Sequence, residues 1–300
     1  MTAIMSPIEA RNRAGSVWMV LAMLAFALED TLIKASASSL PLGQILILFG
    51  LGGTVLFGAL AAANRENLFS RRVMNRTMRV RFGFEVTGRL FYGIAIALTP
   101  LSAATVILQA TPLVVVAGAT LVFSERVGWR RWSAIVVGLI GVLVILQPGG
   151  DSFSPLSLFA VVGMLGFAGR DLASRAAPAG MGTATLGFYG FLAVIVAGVI
   201  FAIWQGKAFV WPAAMTALYL AGAMLAGVGA YFALMKAMRT GEVSAVTPFR
   251  YTRLLFGIGF GILFFNESLT VPMIAGSLLI LISGLFTLSR SKKPPSSGAT

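Results

Sequence analysis

Eight ionisable side chains lie inside long apolar stretches of this chain. They are four acids and four bases: Glu29, Asp30, Glu85, Arg89, Arg170, Asp171, Arg250 and Arg253. An unpaired charge at the centre of a membrane helix costs about 2.5–3.5 kcal/mol on insertion scales, so each group should face a partner or a water-filled cavity. The pattern therefore indicates either ion pairs that hold helices together or a polar binding site.

Two pairs of these residues are predicted to lie nearest the middle of the membrane and to contact a small molecule: Glu85 and Arg89, Arg250 and Arg253. An α-amino acid carries one ammonium and one carboxylate, so a site with acids and arginines suits it. Two arginines in one helix equally suit a phosphate or a sulfonate, which guanidinium binds in bidentate fashion. The other four charges are expected toward helix ends, where side chains can reach the membrane interface.

Further candidates for substrate contact are polar side chains on helices predicted to line a cavity: Tyr92, Gln109, Thr111, Tyr189, Tyr231 and Tyr251. Small-molecule pockets are mainly apolar with a few placed polar groups, and aromatic walls suit apolar or aromatic side chains. Each tyrosine is equally consistent with helix packing. Pro112 and Pro248 each remove one helical hydrogen bond, so they are candidate hinges or ordinary static kinks.

The elements that carry these residues are predicted to be membrane helices. Of the 300 residues 58% are apolar and 11% charged, and the mean hydropathy is +0.90, which is outside the range of soluble domains. A bilayer span needs about 20 apolar residues. Apolar runs predict ten helices between a polar tail at 1–14 and another at 290–300, near 15–34, 42–62, 82–98, 101–124, 130–147, 155–174, 183–204, 211–236, 243–265 and 272–289.

The absence of Cys and His excludes several classes of function. Disulfides, thiolate metal ligands and the commonest general base are all ruled out, so we expect no metal, no cofactor and no catalytic residue. An intramembrane hydrolase would have to pair Asp30 with Asp171, which the predicted topology places toward opposite membrane faces. A receptor is disfavoured because the longest predicted connection, residues 63–81, leaves no room for a signalling domain.

The distribution of positive charge predicts the orientation. Most Lys and Arg residues fall in connections on the same side as the amino terminus, whereas the opposite side holds only Lys34 and Lys207. The positive-inside bias therefore places both termini in the cytoplasm of a bacterial inner membrane. The net charge of +13 reflects this topology and does not indicate nucleic acid. The expected contacts are the lipid bilayer and a small-molecule substrate, and the oligomeric state stays open.

The two halves of the chain, 15–147 and 155–289, share sequence landmarks. Phe26-Ala-Leu-Glu-Asp aligns with Phe167-Ala-Gly-Arg-Asp 141 residues later, and Ser102-Ala103 aligns with Ser244-Ala245 142 residues later. Five helices per half is an odd number, so the second half must enter the membrane from the opposite side. The sequence thus predicts an all-α membrane protein built from two inverted five-helix repeats.

Glycines thin one face of the fifth and tenth predicted helices, at Gly138, Gly141, Gly276 and Gly284, and the ninth carries a G-x-x-x-G motif at Gly257 and Gly261. Small residues let helix backbones approach closely. We expect tight packing of these faces, either within one chain or against a second copy.

A known family matches these features. Two five-helix halves, a proline and a closing glutamate in the fourth helix of each half, and a glycine-rich last helix resemble the drug/metabolite transporter superfamily. The EamA-type exporters fit best, over residues 15–289, and the aromatic interior is similar to amino-acid exporters of the YddG type. The motif residues are Pro112, Glu125, Pro248 and Glu267.

The resemblance implies an exporter of small metabolites, above all neutral or aromatic amino acids. It would work by alternating access around a cavity between the halves. The alternative is an anion or phosphorylated-metabolite exchanger that uses Arg89, Arg250 and Arg253. Proton coupling through an acid such as Glu85 and passive facilitated movement both remain open.

Overall fold

The computed structural model describes residues 7–71, 73–124, 128–147, 154–176, 181–240 and 243–289, and within these ranges it contains helices but no strand. A 3-10 helix, Thr247–Tyr251, lies between α10 and α11. The α-helices are α1 (Pro7–Ser36), α2 (Leu42–Ala63), α3 (Arg76–Leu98), α4 (Leu101–Leu108), α5 (Thr111–Phe123), α6 (Trp129–Leu146), α7 (Ser157–Arg175), α8 (Thr183–Gln205), α9 (Ala214–Thr240), α10 (Val243–Val246), α11 (Thr252–Phe265) and α12 (Val271–Ser289).

Length and composition identify six helical segments of the described ranges as able to cross a membrane: Ile8–Ser36, Leu42–Ala63, Leu101–Phe123, Ser157–Ser174, Thr183–Gln205 and Ala214–Met238. Two shorter apolar helices, Trp132–Leu146 and Val271–Thr287, accompany them. Large apolar side chains cover the outside of the bundle, with Leu121 83% exposed and Ile203 77% exposed. Such a surface suits lipid rather than water, so the chain is a multi-pass membrane protein.

Most predicted helix bounds agree with the structure to within a few residues, but α1 and α3 begin earlier than predicted. α1 begins at Pro7, inside the predicted tail 1–14, and α3 begins at Arg76 instead of 82. Asn75 caps α3, because its Oδ1 accepts a hydrogen bond from the Met78 backbone N–H at 2.8 Å. Hydropathy identifies the apolar turns of a membrane helix, but it does not identify helical turns that carry charged residues. Arg81 is therefore a buried residue of α3, not part of the predicted connection 63–81.

The fourth and ninth predicted helices are interrupted, and one of the predicted prolines lies at or directly after each interruption. Pro112 follows the break between α4 and α5, and Pro248 lies in the 3-10 helix. Pro112 cannot donate to the carbonyl of Leu108 four residues earlier. The Thr111 hydroxyl donates to this carbonyl instead, at 2.5 Å. Both prolines thus mark kinks, and movement about them stays a prediction.

The helices of the first half pack against those of the second. α1 lies along α9, α2 along α8, α3 along α7, and α6 along α12. In addition, α11 contacts α1 and α4, whereas α7 contacts α4 and α5. If α1–α6 are exchanged with α7–α12 in order, the contact of α1 with α9 becomes that of α7 with α3, and the contact of α1 with α11 becomes that of α7 with α5. The contacts of α2 with α8 and of α6 with α12 map onto themselves. A site at the interface between the halves therefore receives side chains from both halves.

The predicted glycine faces pack within the chain. A Cβ added to Gly141 of α6 would lie 2.8 Å from the carbonyl oxygen of Gly276 on α12. A Cβ added to Gly257 of α11 would lie 2.8 Å from the Thr105 Cβ on α4. Such separations are too short for a side chain, so these glycines allow the paired helices to pack closely.

Candidate functional site

Charged side chains from four helices meet at the interface between the halves and form what we call the charge network. The helices are α1, α3, α7 and α11, so both halves contribute. Four acids and four bases belong to it: Glu29, Asp30, Arg81, Glu85, Arg89, Arg170, Asp171 and Arg253. Charges removed from water must be paired, and the equal number of acids and bases meets this requirement.

Glu85 is surrounded by three arginines. Its carboxylate lies 3.3 Å from Arg170 Nη1, 3.4 Å from Arg89 Nε and 3.7 Å from Arg81 Nη2. The predicted pair of Glu85 and Arg89 is thus present, together with a second cation from the same helix and a third from α7. Because Arg170 belongs to the other half, Glu85 connects the two halves.

A second set of contacts joins α1 to α3 and α11. Arg89 Nη1 donates to Glu29 Oε1 at 3.1 Å, so Arg89 bridges Glu85 and Glu29. Asp30 accepts from Arg253 Nη2 at 2.6 Å and from the Tyr92 hydroxyl at 3.0 Å. Two consecutive residues of α1 therefore bind charged partners on two other helices.

The two charged residues of α7, Arg170 and Asp171, pair with each other, and α7 also forms hydrogen bonds with α3. Arg170 Nη2 lies 2.8 Å from the carboxylate of its chain neighbour Asp171. Arg81 Nε donates to the Ser174 hydroxyl at 2.9 Å. Arg81 and Ser174 were not recognised from the sequence, because hydropathy placed Arg81 outside the membrane helix.

The expectation that the other four charges reach the membrane interface is wrong for α1. Glu29 and Asp30 are only 2% and 3% exposed. They lie almost two turns before the end of α1 at Ser36 and face α3 and α11 instead of the interface. The repeat contained the signal, since Glu29-Asp30 aligns with Arg170-Asp171, and both pairs lie in the charge network.

Aromatic rings cover the arginines of the network. The guanidinium of Arg253 lies 5.0 Å from the ring centroid of Phe26, and that of Arg170 lies 4.8 Å from the centroid of Phe167. Phe26 and Phe167 are the aligned phenylalanines of the repeat. A cation over an aromatic face is favourable at these distances, so each half supplies one ring to the same kind of contact.

The remaining predicted site residues lie outside the charge network. Gln109 Nε2 donates to the backbone carbonyl of Arg250 at 2.9 Å, so the two helix breaks face each other. Within the described residues, no carboxylate pairs with the Arg250 guanidinium. The Tyr251 ring is buried against Gly284, and the Thr111 hydroxyl donates to the Leu108 carbonyl at the end of α4.

Two predicted tyrosines lie on the outer helices of the interface. Tyr231 of α9 packs edge-on against Phe57 of α2, with 5.3 Å between ring centroids. The Tyr189 hydroxyl donates to the Leu68 carbonyl at 2.9 Å. Tyr189 also lines a cavity of about 210 Å³ whose wall includes Arg79 and Arg81. Because Arg81 also binds Glu85, this cavity reaches one end of the charge network.

The network is neither fully buried nor fully paired. The side chains of Arg170 and Asp171 keep 22% and 25% of their surface exposed. Glu29 Oε2 and Arg253 Nε are buried without a hydrogen-bond partner in the described part of the chain. Buried polar atoms are normally satisfied, so these two atoms indicate capacity for a further polar partner. The same described residues hold no cluster of three acids suited to a metal ion, and Glu125 of the family motif lies outside them.

Comparison with known proteins gives one family. The EamA-like transporter family matches residues 13–147 and again residues 155–289. The pseudopaline exporter CntI of Pseudomonas aeruginosa is 31% identical, with 94% of this chain and 98% of the relative covered. An S-adenosylmethionine uptake transporter of Rickettsia prowazekii is 24% identical (94% and 95% covered), and a riboflavin transporter of Rhizobium johnstonii is 26% identical (95% and 95% covered).

Solved structures share the fold, and one crystal structure among them serves for comparison. It is 18% identical and superposes with a TM-score of 0.61 over 92% of this chain and 98% of that chain. At this identity the likeness concerns the fold alone.

Proposed function

Because this chain belongs to the EamA-like transporter family, whose members move metabolites and are not enzymes, we propose that the charge network is its substrate site. The observation that carries this proposal is the position of the network. It lies between the two halves, is partly exposed, and leaves Glu29 Oε2 and Arg253 Nε without partners among the described residues. A polar cluster inside a membrane protein marks a substrate or ion pathway by default.

We propose a substrate that carries both an ammonium and a carboxylate group, as amino acids do. Glu29 and Arg253 offer a free acceptor and a free donor within the same network. Phe26 and Phe167 supply aromatic walls for a neutral or aromatic side chain. The relatives are named for three different metabolites, so their names favour no single substrate for this chain.

The anion-exchanger alternative has less support. It requires Arg89, Arg250 and Arg253 to share one anion. Arg89 and Arg253 are each paired with a carboxylate, and Arg250 lies outside the network. An anion would therefore have to compete with Glu29 and Asp30 for the same guanidinium groups.

For the mechanism we propose alternating access between two inverted five-helix repeats, 15–147 and 155–289. Two observations support it. The contact of α1 with α9 has its counterpart in that of α7 with α3, and the aligned rings of Phe26 and Phe167 each lie over an arginine of the charge network. Related halves in opposite orientation make inward-open and outward-open states nearly equal in energy.

We propose that both termini are cytoplasmic in a bacterial inner membrane and that transport runs outward, as in the relative named an exporter. Fusion of green fluorescent protein or alkaline phosphatase to the carboxyl terminus tests the orientation. We expect fluorescence and no phosphatase activity. Active phosphatase would place this terminus outside and would contradict the proposed topology.

Transport is tested with purified protein in proteoliposomes. Liposomes loaded with unlabelled phenylalanine or leucine should accumulate the same labelled amino acid by counterflow, and empty liposomes provide the background. Labelled phosphoenolpyruvate tests the anion alternative. If neither amino acid exchanges while the organic phosphate crosses, the amino-acid proposal is wrong.

A further inference from the structure

Two carboxylates of the charge network differ sharply in how their charge is balanced. Glu85 has three arginines within 3.7 Å. Glu29 has one, Arg89, which it shares with Glu85 and contacts through Oε1 only. The second oxygen, Oε2, is buried and accepts no hydrogen bond from the described residues. An ionised carboxylate needs donors on both oxygens when it is removed from water, so Glu29 is the under-compensated acid.

On the side of α9, Glu29 Oε2 lies beside groups without a polar side chain. Gly227 of α9 has no side chain, and a Cβ placed there would lie 3.1 Å from Oε2. The same Cβ would lie 2.9 Å from Cζ of the fully buried Phe49 ring. The oxygen thus faces a glycine and a phenylalanine, neither of which can donate a side-chain hydrogen bond. A neutral carboxyl group is better suited to this position than a charged one.

The charged groups around Glu29 do not balance it from other directions. On α3, Arg89 is shared with Glu85. On α11, Arg253 is bound to Asp30, as is the Tyr92 hydroxyl of α3. On α1 itself, Asp30 is a like charge.

The lysines of this region are also engaged elsewhere. Lys34 of α1 is directed to the carbonyl groups of Ile96 and Thr99 and to Glu267. On α9, Lys236 lies over the Trp18 ring, 4.3 Å from its centroid and about three turns of α1 from Glu29. Neither lysine is available to Glu29.

We propose that Glu29 is the proton-binding residue of this protein and couples substrate export to proton entry. The step is an exchange at one oxygen. A substrate ammonium takes the position beside Oε2, the O–H bond of the carboxyl group breaks, and the proton leaves to water on the side then open. When the substrate is released on the outside, a proton from that side binds again. The coupling rests on the proposed function, whereas proton binding to Glu29 does not.

This assignment differs from the sequence-based candidate Glu85. To become protonated, Glu85 would have to leave three guanidinium groups without their common partner. Breaking such buried pairs is strongly unfavourable. Glu85 therefore serves to hold Arg81, Arg89 and Arg170 together and remains ionised throughout.

Infrared difference spectroscopy tests proton binding without any substrate. Purified protein in lipid is titrated with acid and base while the C=O stretch of protonated carboxylic acids is recorded. We expect a band that disappears as the pH rises and that is missing in Glu29→Gln. In Glu85→Gln the band should remain but disappear at a lower pH, because Arg89 is then no longer shared with Glu85. A band that survives in Glu29→Gln, or that only Glu85→Gln removes, overturns the proposal.

A second variant distinguishes loss of the proton-binding group from misfolding of the protein. Glu29→Asp keeps an ionisable group on the same turn of α1, so its band should persist with a changed midpoint. If Glu29→Gln does not elute as a single species in gel filtration, the Glu29→Asp titration decides. An unchanged midpoint in that variant also overturns the proposal.

Coupling is then measured as a ratio of two transport rates, so a variant that transports more slowly overall can still be compared with the wild-type protein. The rate of labelled phenylalanine movement with a pH gradient is divided by the rate without one. We expect a ratio well above one for the wild-type protein and for Arg250→Gln, which lies outside the charge network, and a ratio of one for Glu29→Gln. If no amino acid is transported, the proposed function fails while the infrared result still stands on its own. If transport occurs and Glu29→Gln keeps the wild-type ratio, the coupling proposal fails alone.

Discussion

Lys34 Nζ lies 3.9 Å from the carboxylate of Glu267, although the two residues belong to different halves of the chain. The same ammonium donates to the Thr99 carbonyl at 2.5 Å, where α3 ends. Glu267 accepts three hydrogen bonds at the start of α4, from the backbone N–H groups of Leu101 and Ser102 and from the Ser102 hydroxyl. This contact ties the ends of α1, α3 and α11 to the beginning of α4.

Replacement of Glu267 tests how much this contact stabilises the fold. We expect Glu267→Gln to lower the free energy of unfolding by about 1–3 kcal/mol, because the amide has one acceptor oxygen and no charge for the N-terminus of α4. Ser102→Ala removes one of the three bonds and should cost about 0.5–1.5 kcal/mol. Melting temperatures in detergent measure both. Equal melting temperatures for the wild-type protein and Glu267→Gln would contradict the stabilising role.

The same end of the bundle offers a test of alternating access. The hydroxyl groups of Ser39, just after α1, and Thr216, in the first turn of α9, lie 3.0 Å apart and join the two halves. The chain has no cysteine, so a Ser39→Cys/Thr216→Cys double variant contains only the introduced pair. The two hydroxyl oxygens mark where the sulfur atoms would lie, and an S–S bond of about 2 Å requires them to approach by roughly 1 Å.

We expect an oxidant to link the two cysteines and to stop transport, because the halves can no longer separate at this end. A reducing agent should restore it. Each single-cysteine variant under the same oxidant is the control. Undiminished transport by protein that mass spectrometry shows to be fully cross-linked would rule out separation of the halves at this end.

Much of the helical arrangement could be predicted from apolar runs, and the repeat was visible from Phe26 and Phe167. The early start of α3 was not predictable in this way. Its first turns carry Arg76 and Arg79, which are polar but helical, and helicity there depends on the Asn75 cap. Hydropathy measures the preference for lipid, so it cannot locate a helix end that lies beyond the apolar run.

The charge network was predicted in part, for a related reason. The pair of Glu85 and Arg89 followed from their spacing on one helix. The burial of Arg81 did not, because it depends on Glu85 and on Ser174, and Ser174 lies on a helix 93 residues away in the chain. Contacts between helices become predictable only when the packing of α3 on α7 is known.

The sequence gives no reason to prefer Arg253 over Arg250 as a substrate-binding residue, but the structure distinguishes the two. Arg253 pairs with Asp30 at 2.6 Å, and Arg250 lies outside the network. We expect Arg253→Gln to lower amino-acid counterflow about tenfold or more, because a buried charge-assisted bond contributes about 1.5–3 kcal/mol. Arg250→Gln should keep most of the wild-type rate.

Loss of Arg253 also leaves Asp30 as an unpaired buried charge, which costs about 3–5 kcal/mol of stability. The double variant Asp30→Asn/Arg253→Gln removes this charge and should recover the melting temperature without recovering transport. If the double variant transports as well as the wild-type protein, Arg253 does not belong to the substrate site. A larger loss in Arg250→Gln than in Arg253→Gln would favour the anion alternative.

The charge network depends on the close contact of α3 with α7, and a glycine there provides the test. A Cβ added to Gly163 of α7 would lie 2.8 Å from the backbone N of Tyr92 and 2.9 Å from its Cβ. These atoms belong to the α3 backbone or are fixed to it, so Gly163→Ala must push the two helices apart.

We expect a loss of about 1–3 kcal/mol, as for overpacked cores, and a lower melting temperature in detergent. Gly229→Ala on α9 is the matched control, because its Cβ would meet no heavy atom within 4 Å. Alanine favours the helix over glycine by about 0.5–1 kcal/mol, so this variant should melt at or above the wild-type temperature. Since separation of α3 from α7 also lengthens the contact of Arg170 with Glu85, Gly163→Ala should lose transport as well as stability. A Gly163→Ala protein as stable and active as Gly229→Ala would show that substrate binding does not require this contact.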